Sequence, residues 1–124
     1  MYKEETKFWH EIRKHKSKIS WTRLENSAAH GTPDLLGYND NSTFFTVELK
    51  LKKVKKISFS PHQIAFHIKH PKNTFIMVKD WPKALGQGAI KLYEGTEIHA
   101  LVGGTHPKPV ACGLSACCLF LERL

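Results

Sequence analysis

The chain has 124 residues, enough for one domain around a single core and too few for two. Its 41% hydrophobic content is ordinary for a soluble globular protein, and no apolar run is long enough to span a bilayer. The net charge of +8 is high for this size; such an excess attracts polyanions through counterion release, with nucleic acid the usual partner.

From Tyr2 to about Lys18 the pattern is helical, with Phe8, Trp9 and Ile12 as the apolar stripe and Glu4 and Glu5 in the first turn, where acids favour the helix dipole. Ile19 to Asn26 alternates around Ile19 and Trp21 and reads as a first strand. Ser27 to Pro33 reads as loop, Asp34 to Tyr38 as a second strand, and Asn39-Asp40-Asn41-Ser42 as a turn. Thr43 to Leu51, rich in β-branched and aromatic residues, is the third strand. After a lysine-rich connector, Ser60-Pro61-His62-Gln63 starts a helix with Ser60 as N-cap, Pro61 at N1 and Gln63 at N3. That helix carries Ile64, Phe66 and Ile68 as far as Pro71.

Asn73 to Val78 reads as a fourth strand buried on both faces. Asp80 to Gly88 reads as loop, Ala89 to Tyr93 as a fifth strand, and Glu94 to Val102 as a short helix ended by Gly103-Gly104. The apolar tail from Val110 to Leu124 fits helix or strand equally well, and packs on the core or at a subunit interface. The expected fold is α/β: one mixed sheet flanked by helices, a single domain over residues 1–124 with its core in 2–102 and a tail over 103–124.

The chemistry gathers around Asp34 and Glu48-Leu49-Lys50. Strand side chains alternate, so Glu48 and Lys50 share one face while Val47, Leu49 and Leu51 point into a core. Asp34 stands at the mouth of the preceding strand, one short hairpin away. Two carboxylates and an ammonium on one patch of sheet can hold a divalent metal, position a water and neutralise charge on a phosphate. Lys50, Lys52, Lys53, Lys55 and Lys56 follow within seven residues, where a docked nucleic-acid backbone explains them better than solubility does.

Gly-x-Pro-Asp, then Glu-x-Lys on the next strand, then a Ser-Pro-x-Gln helix start resemble the PD-(D/E)xK nuclease superfamily. The likeness covers residues 2 to 80. It is greatest to the stand-alone virus-type replication-repair nuclease (VRR-NUC) domains, and the archaeal Holliday-junction resolvases are similar in layout. The resemblance implies a restriction-endonuclease-like core. It also implies Mg²⁺ or Mn²⁺ held by Asp34, Glu48 and the backbone carbonyl of Leu49, with Lys50 near the attacking water or the reacting phosphate. Gln63 matches a glutamine that contacts the metal-bound water or the lysine, although a capping box alone explains the same residue. An acid from the first helix often joins such sites, and Glu5, one turn before Phe8 and Trp9, is the candidate. Arg23, His30, His62 and His67 are the further candidates for contact with nucleic acid, beside Lys52, Lys53, Lys55 and Lys56.

The resemblance thus points to a Mg²⁺-dependent DNA endonuclease, first of all a homodimeric Holliday-junction resolvase. The alternatives are a nicking, flap, restriction-type or weakly specific DNA endonuclease, or an inactive nuclease-fold module that binds DNA. With no secretory leader at Met1–Glu5 and no membrane segment, the expected location is cytoplasmic, or the host cytoplasm for a viral protein. Cys112, Cys117 and Cys118, odd in number and clustered, read as free thiols in apolar packing; a zinc site with His99 or His106 lacks a Cys-x-x-Cys pair.

Overall fold

A computed structural model describes residues 3–24, 31–53, 57–81 and 89–124. Helix α1 (Lys3–Lys14) is followed by β1 (Ile19–Arg23), β2 (Leu35–Asn39) and β3 (Phe44–Lys53), which form an antiparallel meander. Helix α2 (Pro61–Lys69) then crosses over to β4 (Thr74–Trp81), which lies parallel to β3. Strand β5 (Ile90–Glu94) returns antiparallel, a 3-10 turn (Gly95–Glu97) leads into α3 (Ile98–Val102), and the short β6 (Ala111–Cys112) precedes α4 (Leu114–Glu122). The sheet is six-stranded, in the order β1-β2-β3-β4-β5-β6. The fold is therefore α/β with a mixed sheet flanked by helices. No helix among the described residues is long and apolar enough to cross a membrane.

Each sheet face has its own core. Alternation along β3 sends Phe45, Val47 and Leu49 to the face covered by α1 and α4, where they meet Phe8, Trp9, Ile12, Cys117 and Leu121. Edge-to-face rings link Trp21 to Phe45, Phe45 to Phe75 and Phe75 to Phe120, tying β1, β3, β4 and α4 together. Gly37 permits this packing, because a Cβ there would overlap the Phe45 ring. On the other face, Ile76, Val78 and Tyr93 pack with Ile98 and Leu101 of α3, Ile64 of α2, and Ile57 and Phe59 of the connector. Burial of each such side chain contributes about 1.5–3 kcal/mol.

Several sequence-based boundaries move. Helix α1 ends at Lys14 rather than near Lys18, because the Lys18 N–H is drawn to Glu122 Oε2 at 2.8 Å as the chain turns into β1. Strand β1 stops at Arg23, and residues 25–30, including the expected end at Asn26, lie outside the described residues. Strand β2 starts one residue late, which leaves Asp34 just before it. Asp80 and Trp81 extend β4 rather than opening a loop, since they pair with Lys52 and Lys53. The tail is both strand and helix: Ala111 and Cys112 pair with Leu92 and Lys91, after which α4 folds onto the core.

Buried Asn39 holds α4 to the β2–β3 turn by donating Nδ2 to the Leu121 and Leu124 backbone oxygens. Asn41 Nδ2 and Thr43 Oγ1 also donate to Leu124 O. Cys117 and Cys118 are buried free thiols, their pKa values pushed up to about 12 and about 11 mainly by burial; Cys112 is free and exposed.

Candidate active site

The site exists because β3 outruns β2. The β2–β3 ladder ends at Leu35 opposite Val47, whereas β3 continues to Lys53 alongside β4. The Leu49 N–H therefore faces a gap, and Asp34 fills it by accepting that N–H on Oδ2 at 2.7 Å. The Asp34 carbonyl meanwhile accepts the Leu24 N–H at 2.8 Å, so the residue is fixed at backbone and side chain together. Because the N–H and C=O of one strand residue point the same way, the Leu49 carbonyl opens onto this same gap. Gly31, at φ +84°, permits the close approach of the loop to α2, since a Cβ there would strike the His62 backbone.

Glu48 and Lys50 lie on the α2 side of the sheet, and Gln63 joins them. Its Nε2 donates to Glu48 Oε2 at 2.9 Å, while its Oε1 accepts from Lys50 Nζ at 2.8 Å and from the Ser60 N–H at 3.0 Å. Ser60 Oγ accepts the Gln63 N–H at 3.1 Å, completing the capping box. Gln63 thus both caps the helix and contacts the two strand residues: the geometry that starts α2 also aims its amide at them. The Lys50 ammonium lies 4.9 Å from the centre of the Phe59 ring, a cation–π contact. Sequence reasoning misses Phe59. Its only signal there is an aromatic residue immediately before the N-cap.

Glu48 is 3% exposed, and its Oε1 is buried with no hydrogen-bond partner among the described residues. Burial first, then the neighbouring Asp34 charge, push its pKa up to about 9, with Lys50 opposing. Glu5 reaches the same neighbourhood from α1. Its pKa is also raised, by burial and then by Asp34, against the pull of Lys50, Lys53 and Arg23. Among the described residues no three His, Cys, Asp or Glu side chains form a ready-made metal cluster. The orphaned Glu48 oxygen beside Asp34 nevertheless suits a hard divalent cation, which takes one or two carboxylates plus a carbonyl and keeps waters for its remaining positions.

The remaining candidates fall in different places. Lys52 and Lys53 end β3, half-exposed and exposed respectively, and Arg23 is exposed at the end of β1. His62 is exposed on the first turn of α2. His67 corrects the sequence reading. Instead of facing nucleic acid it is 1% exposed, with both ring nitrogens buried and unpartnered among the described residues. The reason is helical phase: Ile68, expected to pack inward, is exposed, and Ile64 and His67 turn toward the sheet instead. A Cβ on Gly95 would crowd His67 Nδ1 and Thr74 Oγ1, so that glycine lets the ring in. His30, Lys55 and Lys56 lie outside the described residues. Comparison with protein-family models, curated proteins and solved structures found no match.

Proposed function

We propose that this chain is a divalent-metal-dependent DNA endonuclease of the PD-(D/E)xK type, related in design to VRR-NUC domains, with branched DNA and first of all the Holliday junction as substrate. The observation that carries this reading is the Glu48–Gln63–Lys50 bridge at the gap occupied by Asp34. A structural salt bridge would pair Glu48 with Lys50 directly. Here a neutral amide stands between them, leaving one Glu48 oxygen without a hydrogen-bond partner among the described residues and the carboxyl group beside a second acid. The order β1-β2-β3-α2-β4, with α1 packed against β3, also suits a restriction-endonuclease-like core.

Asp34, Glu48 and the Leu49 carbonyl would hold Mg²⁺ or Mn²⁺, and Glu5, whose pKa the Asp34 charge raises, is the further candidate from α1. When bound, such an ion supplies charge neutralisation at phosphorus and acidifies a water for attack. The chain's own groups do the rest. Gln63 holds the Lys50 ammonium in one orientation, where it can stabilise negative charge developing on the phosphate. Phe59 limits the freedom of that side chain. Lys52 and Lys53 extend the positive surface along the same strand for the DNA backbone. Two copies acting on opposing strands would account for paired cuts at a junction.

The test is cleavage of labelled four-way junction, flap, single-stranded and linear duplex DNA in Mg²⁺ or Mn²⁺, with Glu48→Gln as control. Metal-dependent cutting that disappears in Glu48→Gln is the expected result, and symmetrical cuts confined to the junction would establish the resolvase. Binding without cutting in either metal would overturn the enzyme in favour of an inactive DNA-binding module.

A further inference from the structure

Two strands from Glu48, on the same face of the sheet, there is a cavity of about 90 Å³ lined by Lys52, Tyr93, Leu101, Val102, Thr105 and His106, among others. Its position relative to the site follows from register. Glu48 pairs with Ile76, which pairs with Tyr93, so the three lie on one rung of the sheet. Two strand spacings of about 4.8 Å put the Tyr93 backbone roughly 10 Å from that of Glu48. Lys52 shares the face of Glu48 and Lys50 by alternation and stands roughly 7 Å beyond Lys50, about two base steps of DNA at 3.4 Å each.

We infer that this cavity receives a single unpaired nucleobase from the DNA strand being cut, next to the scissile phosphate. The inference rests on the nuclease reading and adds to it a demand on the substrate: one nucleotide at the cut must be extruded or already single-stranded. Size is the first argument. One water needs only about 10–15 Å³, so a recess of about 90 Å³ is several times larger than a single water requires and admits a planar ring.

Lining chemistry is the second. Leu101 and Val102 provide apolar wall, and Tyr93 and His106 provide planar rings for stacking. Lys52 and the Tyr93 hydroxyl provide donors for a base edge or its phosphate, and Thr105 Oγ1, whose proton goes to the Ala100 carbonyl, can accept from a base edge. Burial raises the Tyr93 phenol above its ordinary pKa, so it remains an O–H donor. A solvated cleft for phosphate alone would not need the apolar wall. A branch point is where this demand is met most cheaply, because a nucleotide there has lost a stacking neighbour and costs less to extrude.

The experiment is an abasic scan. Branched substrates carrying one abasic residue at successive positions around the cut are cleaved by the wild-type protein, by Val102→Trp, which fills the cavity from its rim, and by Tyr93→Phe. Wild-type cleavage is expected to fall roughly five- to hundredfold at a single flanking position, the worth of one stacked base. Val102→Trp should lose a similar factor on intact DNA and little more on the substrate abasic at that position. If every abasic substrate is cut as fast as intact DNA, the cavity holds no base, while the nuclease reading stands. If Val102→Trp, folded by its melting profile, loses equally on intact and abasic DNA, the base is read elsewhere. Absence of cleavage by the wild-type protein on all substrates in Mg²⁺ and Mn²⁺ would overturn the nuclease reading, and this inference with it.

Discussion

The Asp34 carboxylate accepts the Leu49 N–H at 2.7 Å, taking the place that a β2 backbone carbonyl would occupy had that strand continued. One residue thus ends the pairing of β2 with β3 and puts a carboxylate beside Glu48. A charge-assisted hydrogen bond of this kind contributes about 1.5–3 kcal/mol. Asp34→Asn should therefore abolish cleavage at a small cost in stability, because an amide oxygen can still accept the Leu49 N–H. Asp34→Ala should lower the melting temperature clearly further than Asp34→Asn, which thermal denaturation would show.

Glu48 makes stability fall as pH rises. Its folded pKa, about 9, lies above its ordinary value of 4.5, so between those values the folded state binds the extra proton. Its contribution is full below pH 4.5 and is lost as pH climbs through 9, a matter of a few kcal/mol. Glu48→Gln, neutral at every pH, should be more stable than wild type at about pH 8 in chelator and should flatten the decline in melting temperature. Under the same conditions wild type should gain stability on addition of Mg²⁺ or Mn²⁺ by mass action, and Glu48→Gln should not. An equal metal-induced shift in both proteins would remove Glu48 from the ligand set.

Ser60 and Gln63 share the capping box, yet only Gln63 touches Glu48 and Lys50. Ser60→Ala should cost about 1 kcal/mol of stability, as cap losses do, and retain most cleavage. Gln63→Ala should lower the cleavage rate more than tenfold at saturating metal. Equal effects of the two variants on rate would reduce Gln63 to a cap.

The Lys52→Ala/Lys53→Ala pair should weaken DNA binding at every sequence. It should also flatten the plot of log affinity against log salt by about 0.9 for each phosphate no longer neutralised. An unchanged slope in a salt titration would mean that the DNA backbone runs elsewhere.

His67 acts at the acid end. Burial, then His70 and Lys50, lower its pKa to about 4 from 6.5, so the unfolded chain binds the extra proton between those values. The stability that neutral His67 confers is present above pH 6.5 and drains as pH falls toward 4. His67→Leu should remove that slope and raise the melting temperature at about pH 5 relative to wild type.

The opposed faces of Val47/Leu49 and Glu48/Lys50 follow from the two-residue period of a strand, and the start of α2 from Ser60, Pro61 and Gln63. Both are short-range: alternation and capping depend on residues within a few positions. The placement of Asp34 beside the Glu-x-Lys strand needs only one hairpin more. The phase of α2 is not legible in the sequence, because Ile68 and His67 compete for one inward position, and the space beside Gly95 and Thr74 accommodates the histidine. Nor is the division of the tail, where a strand of two residues is set by the free edge of β5 and a helix by the open face beside Phe75.

By itself the sequence determined which residues carry charge and carboxylate oxygen, and on which side of which element they stand, since periodicity and caps are local. Only the tertiary structure decided that Glu48 is buried with one oxygen unpaired among the described residues, that Gln63 spans to Lys50, and that a cavity opens two strands away. Those properties depend on what lies across the sheet, and residues distant in the chain supply it.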